Sequence, residues 1–373
     1  MQCVLVGPSA PIRGGIALDN DARAQALRQA GHQVEQINFS RLYPQFFFPG
    51  RSQHDTAPHH TQTSVLACLD SLNPLSWRHT ARHIVAWAPD VVTFQWWHPF
   101  FAPCYISVLS ALRKALPRTA RILISHHARP HEPFPGQDLA VREVIKRCTD
   151  VIAYSYSDHH VMATLVPSST IHLQDYPLLE TPRTLPDRAE AQRHWGVSGR
   201  VLLFFGYVRE YKGLDILLKA LAEVPPELGV SLLVAGEFYT SLDAVQRLVQ
   251  SLQLEERVHI VDRYISEPEW PTLFAATDAL VLPYRTASQS MTITLAYGFG
   301  KPVIATRVGG FPDIIEDEQT GLLADPDSDD VARAIQYFYT DFLTKPYDSA
   351  IAAKREAFGW ESFIQLLEER SAL

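Results

Sequence analysis

Two short stretches carry the residue types that hold phosphate. Arg209 and Lys212 stand three apart in Gly206-Tyr-Val-Arg-Glu-Tyr-Lys-Gly213, a guanidinium and an ammonium able to clamp a diphosphate through charge-assisted hydrogen bonds. The second stretch, Ser288-Gln289-Ser290-Met291, closes a Ser-rich loop where a helical pattern begins, with Ser288 or Ser290 as N-cap. Backbone N–H groups of residues 289–292 lack helical partners there and sit at the positive end of a helix dipole, which suits an anion. A third concentration, His126-His127-Ala-Arg129-Pro-His131-Glu132, follows an apolar run directly and gathers an unusual number of polar side chains. Trp96-Trp97-His98 ends another such run, and Gly14-Gly15 follows the first one. Adjacent glycines let backbone approach a bound group, and equally make a plain tight turn.

The elements that must position these groups repeat one order, strand, loop, helix, strand. In the first half, strands are predicted at residues 2–7, 33–37, 91–95, 121–125 and 150–153. Helices are predicted at 16–30, 102–116 and 138–147, and from 158 onward. Three prolines between 176 and 186 read as a linker. The alternation restarts with a strand at 200–205 and a helix from 214, where Leu214, Leu217, Leu218 and Leu221 keep helical spacing. It continues with a strand at 279–282, a helix to about 299 stopped by Gly300, and a strand at 303–305. An α/β protein of two parallel-sheet domains follows, with its loops of interest at strand carboxyl ends. The expected division is a first domain 1–176, a linker 177–195, a second domain 196–345 and C-terminal helices 346–373.

The 373 residues, 46% hydrophobic and 20% charged, suffice for two cores, and the net charge of −8 argues against nucleic-acid binding. No apolar run is long enough to span a bilayer, so the default location is cytoplasmic. Cys3, Cys68, Cys104 and Cys148 are scattered in apolar contexts and read as reduced core residues. Residues 39–73 lack periodicity. They carry Phe46-Phe47-Phe48-Pro49-Gly50, read either as a local apolar plug or as a lipid or acceptor contact, and His54, His59 and His60, for which no second cluster completes a metal site. Arg113, Lys114, Arg118 and Arg121 form a basic group, read either as a solvated face or as an anionic-lipid contact.

These motifs together resemble glycosyltransferase family 4, the retaining nucleotide-sugar enzymes of the GT-B fold, over nearly the whole chain. The resemblance rests on Phe205-Gly206-Tyr207, Lys212-Gly213, Val234-Ala-Gly-Glu237, Gly300-Lys-Pro-Val-Ile-Ala-Thr306 and Gly309-Gly-Phe-Pro-Asp313. In the first half it rests on Arg13-Gly-Gly-Ile16 and Ala30-Gly-His-Gln-Val34. It implies two Rossmann-like β/α/β domains facing across a cleft and a C-terminal helix crossing back to the first domain. Lys212 matches the family's phosphate lysine, Arg209 stands in for an arginine replaced by Tyr207, and Gly14, Gly15 and Gly206 match donor-side loops. The loop Arg263-Tyr264-Ile265 matches the one lying against the nucleobase, and His126 the histidine beside the donor sugar. Trp96, Trp97, His131 and Glu132 look like a bacterial subgroup that builds cell-surface polysaccharide.

The resemblance fails at two positions, where Ala287 and Leu295 replace the paired glutamates that face donor sugar and ribose. Losing a charge-assisted contact of this kind is worth about 1.5–3 kcal/mol. The implied activity is transfer of a sugar from a UDP- or GDP-sugar to a glycan or lipid-linked acceptor. It needs no metal and no further cofactor, since Arg209, Lys212 and the helix end at Ser290 stabilise the departing diphosphate. The missing glutamates motivate an alternative, a catalytically silent relative acting as a nucleotide-sugar sensor or partner subunit.

Overall fold

The computed structural model describes residues 1–44, 48, 50–55, 65–130, 132–167, 170–179, 181–182 and 184–372. The chain divides into two compact units, Met1–Asp175 together with Trp360–Leu373, and Tyr176–Gly359.

The first unit holds strands β1 (Gln2–Val6), β2 (Gln33–Arg41), β3 (Val65–Asp70), β4 (Val91–Trp96), β5 (Ala120–Ser125), β6 (Asp150–Ala153) and β7 (Thr170–Leu173). They form one sheet in the order β3-β2-β1-β4-β5-β6-β7, with every neighbour parallel. Helices α1 (Gly15–Gln29), α2 (Pro74–Trp87), α3 (Ala102–Ala115), α4 (Gln137–Ile145) and α5 (Tyr156–Leu165) connect them. A parallel sheet covered on both faces requires apolar central strands, and every residue of β4, β5 and β6 is buried. The edge strands β3 and β7 are half-exposed. Without a buried run they give no sequence signal, which is why neither was predicted.

The second unit begins with α6 (Arg188–Trp195) and holds β8 (Arg200–Phe205), α7 (Leu214–Glu223), β9 (Val230–Ala235), α8 (Leu242–Ser251), β10 (Val258–Val261), α9 (Trp270–Ala275) and β11 (Ala279–Leu282). It continues through α10 (Met291–Gly298), β12 (Val303–Thr306), α11 (Phe311–Ile314), β13 (Gly321–Ala324), α12 (Ser328–Thr340) and α13 (Tyr347–Ala357). Its sheet is also parallel, in the order β10-β9-β8-β11-β12-β13. In α7, Leu217 and Leu218 are fully buried. Truncating either to alanine costs about 2–5 kcal/mol.

Helix α6 lies inside the stretch read as linker, where Asp187 caps it by accepting from the Glu190 N–H at 3.0 Å. Helix α13 stays with the second unit, and the chain rejoins the first unit only at Trp360. There α14 (Glu361–Ser371) contributes the buried Phe363, Leu366 and Leu367. In each sheet the strand order reverses once, between β1 and β4 and between β8 and β11. Loops leaving the carboxyl ends at such a point are free to bind a ligand.

Candidate functional site

At the reversal in the second unit, the loops after β8 and β11 are bound to each other. Arg285 donates its backbone N–H to the Tyr211 carbonyl at 2.7 Å and its guanidinium to the Glu210 carbonyl at 2.9 Å and to Asp215 at 2.6 Å. Gly213, at φ +68°, lies so close to β11 that a Cβ would stand 2.0 Å from the Pro283 carbonyl oxygen, so any side chain would part the loops. These contacts fold Lys212 inward. Its side chain is buried, its Nζ would be 3.1 Å from a Cβ at Gly206, and it points to the face of Tyr284 at 5.5 Å. Among the described residues, its ammonium has no hydrogen-bond or ion-pair partner. Burial, and secondarily the charge of Arg209, pull its pKa down to about 7. A buried cation in this state gains from any anion that reaches it.

Ser290 is the N-cap residue of α10, but its hydroxyl shares a hydrogen bond with Thr292 at 2.6 Å and does not cap the backbone. The expected serine cap is therefore corrected: the hydroxyl is taken by the neighbouring threonine. Ser288 is buried and its carbonyl accepts from the Gly310 N–H at 3.0 Å. Gln289 and Met291 are half-buried at the mouth of α10. Arg209 lies over the Tyr239 ring at 4.8 Å, and Tyr207 packs between Tyr239 at 4.8 Å and Tyr264 at 6.2 Å.

At the reversal in the first unit the groups are of another kind. His126, directly after β5, is buried, with Nε2 2.7 Å from Gln95 Oε1 and 3.7 Å from Asp19 Oδ2. Gln95, in β4, donates to Asn20 Oδ1 at 3.0 Å. Asp19, one turn along α1, takes two hydrogen bonds from Arg23 at 2.7 and 2.9 Å. The Arg23 guanidinium, fully buried, is faced by the rings of Tyr154, Trp360 and Phe363 at 5.4, 5.2 and 4.6 Å. Burial pulls the His126 pKa down to about 4, with Asp19 opposing and Arg23 assisting, so the imidazole is neutral at pH 7.

Residues 199–341 match the family described as Glycosyl transferases group 1. The solved structure of Anabaena HepE in complex with UDP resembles the chain at a TM-score of 0.75, with 20% identity and 100% of each chain covered. Sucrose-phosphate synthase from Thermosynechococcus elongatus does so at 0.74, with 17% identity, covering 99% of this chain and 98% of that one. The chain has the GT-B fold. The D-inositol 3-phosphate glycosyltransferase of Corynebacterium diphtheriae is 25% identical over 241 residues, 62% of this chain and 55% of the relative. That of Pseudarthrobacter chlorophenolicus is 31% identical over 181 residues, 46% and 43% respectively. The GT-B chain thus spans about half the length of the curated relatives it matches.

The remaining sequence candidates of this GT-B chain have mixed fates. Trp96 is a core residue, 1% exposed, which corrects its placement at an acceptor: the indole is already enclosed by protein. Trp97 is half-buried and donates to Tyr43 Oη at 3.0 Å. Gly14, at φ +112°, is the N-cap of α1, and Gly15 begins that helix. Arg263 forms a bidentate pair with Glu269 and lies over Trp195, which fixes the loop holding Tyr264 and the buried Ile265. Arg129 pairs with Asp138 at the surface and Glu132 is exposed, while His126 from the same run enters the buried network. Arg121 leaves the basic group, since it is buried and donates to the carbonyls of Thr119 and Arg147 at 2.6 and 3.1 Å. Lys301 donates to the carbonyl of Thr277, just past the end of α9, at 2.8 Å. His131, His59, His60, Phe46, Phe47 and Pro49 lie outside the described residues. Among the described residues, no group of three or more His, Cys, Asp or Glu could hold a metal ion, and no helix is long and apolar enough to cross a membrane.

Sequence reasoning missed Asp19, Asn20, Arg23, Gln95 and Arg285. Gln95 had a signal, a single amide closing the run Val91-Val-Thr-Phe94. Asp19 and Arg23 had none, because an acid and a base four apart in a helix read as a solvated pair.

Proposed function

We propose that the chain transfers a sugar from a UDP- or GDP-sugar to a glycan or lipid-linked acceptor, retaining the anomeric configuration, in cell-surface polysaccharide synthesis. The observation that carries this reading is Lys212, a buried ammonium in the loop after β8 that has no anionic partner among the described residues. The family match over the same unit and a GT-B neighbour solved with UDP support a nucleotide diphosphate as that partner. The bond from the anomeric carbon to the diphosphate oxygen breaks while the acceptor oxygen bonds to that carbon from the same face. The departing phosphate oxygen takes the acceptor's proton. Lys212, Arg209 and the mouth of α10 stabilise the charge that develops on the diphosphate, and neutral His126 holds a sugar hydroxyl. No step needs a metal. Arg113, Lys114 and Arg118, exposed at and just beyond the end of α3, support peripheral contact with anionic lipid at the inner membrane face.

A second reading is favoured by a specific observation. Ala287 and Leu295, at the positions where the family carries glutamates, are 7% and 1% exposed, and neither side chain can accept from ribose. A silent relative would bind the nucleotide sugar and turn nothing over. A thermal-shift screen of nucleotide sugars, followed by an assay for free nucleoside diphosphate with candidate acceptors, separates the two. Transfer is expected with at least one donor and acceptor pair. Stabilisation without product from any pair would favour the silent relative, and no stabilisation by any donor would overturn both.

A further inference from the structure

The amides behind His126 are hydrogen-bonded in one direction only. The Pro8 carbonyl, which can only accept, takes a hydrogen bond from Asn20 Nδ2 at 3.1 Å. That orients Asn20 Oδ1 toward Gln95, whose Nε2 donates to it at 3.0 Å. The remaining atom of the Gln95 amide, Oε1, therefore faces His126 Nε2 at 2.7 Å. Turning either amide over would set oxygen against oxygen or N–H against N–H in a buried site, with an unmet polar group of about 1–3 kcal/mol at each fault. The frame around Gln95 is rigid. Its own carbonyl accepts from Tyr105 Oη at 2.9 Å, and a Cβ on Gly7 would stand 2.5 Å from Gln95 Cγ, so Gly7 makes the room in which the amide lies. Asp19 Oδ2, 3.7 Å from Nε2, favours a proton on that nitrogen and is itself held by Arg23.

We infer that Gln95 and Asn20 are positioning residues that hold His126 in the Nε2–H tautomer, which fixes the polarity of the ring beside a substrate hydroxyl. The tautomer follows from the relay alone, whereas the hydroxyl rests on the transferase reading above. A neutral ring with fixed polarity has its donor and its acceptor nitrogen assigned, and that assignment would set the orientation of a sugar hydroxyl.

The test is a long-range proton–nitrogen spectrum of protein labelled with nitrogen-15 histidine, in which His126 is picked out among the 15 histidines by its absence in His126→Gln. The expected spectrum shows Nε2 protonated and Nδ1 unprotonated. An Nδ1–H pattern in the wild-type protein would overturn the inference, whatever any variant does. Asn20→Asp keeps an acceptor for Gln95 Nε2 but sets an oxygen against the Pro8 carbonyl, so it should keep the pattern in a less stable protein. Gln95→Leu should mix the tautomers and lower kcat about tenfold or more with a smaller change in donor KM. Unchanged tautomer, or unchanged kcat with a changed tautomer, would overturn the positioning role. The expected spectrum in a protein that turns over no nucleotide sugar would count against the transferase reading and leave the tautomer standing.

Discussion

At the carboxyl edge of the first sheet the buried charge of Arg23 is matched: it meets Asp19 twice and three ring faces besides, and His126 is neutral. At the same edge of the second sheet Lys212 is similarly enclosed, yet among the described residues it has no ion-pair partner, and the charge that acts on it is the like charge of Arg209. A satisfied network gains little from an ion and can orient a neutral hydroxyl. An unmatched ammonium costs the folded chain several kcal/mol, part of which an incoming phosphate returns. Two sheet edges of the same strand order are thus built differently, one with its charge closed within the fold and one with a charge left open to an anion.

The largest effect that would break this comparison concerns the matched edge. Asp19→Leu strands the Arg23 charge in the core and should cost about 3–5 kcal/mol, whereas Asp19→Leu with Arg23→Met should recover most of it. Chemical denaturation measures both, and equal losses would show that the pair is not electrostatically closed. A smaller effect sharpens the unmatched edge. The Lys212 pKa is pulled from its ordinary value of 10.5 to about 7, so the buried charge weighs on the fold below pH 7 and is relieved as pH rises from 7 toward 10.5. A diphosphate favours the ammonium, so affinity for UDP-glucose, whose phosphates do not titrate here, should be full below pH 7. Above it, affinity should fall up to tenfold per pH unit until the pKa of the bound state is reached. A flat calorimetric profile from pH 6 to 9 would place the ligand elsewhere. The smallest effect comes from Arg209→Ala, which removes one half-exposed charge and should weaken the same titration about three- to tenfold. It should also move the fall to higher pH, because Lys212 loses its repelling neighbour.

The loops after β8 and β11 were legible because their polar groups are local in sequence. Lys212 and Arg209 share one loop, Ser288 to Met291 share another, and each follows an apolar run whose end is easy to find. The bond between the loops was not legible, since Arg285 acts through backbone carbonyls 74 and 75 residues earlier. In the first unit only His126 stood out. Its partners come from α1 and β4, brought together by a strand order that no local pattern records, and the ring faces around Arg23 include Trp360 and Phe363 from the far end of the chain. The parallel α/β architecture was readable from buried central strands, while β3, β7 and α6 were hidden by half-exposure or by nearby prolines.

The most direct test of the unmatched cation is Lys212→Met, titrated with UDP-glucose at pH 6.5 and melted alongside the wild-type protein. Removing a buried charge should raise the melting temperature, and losing its phosphate contact should weaken binding about tenfold or more. Stability and affinity would then move in opposite directions. Unchanged affinity would contradict the account, and a lowered melting temperature would show that Lys212 is already paired within the fold.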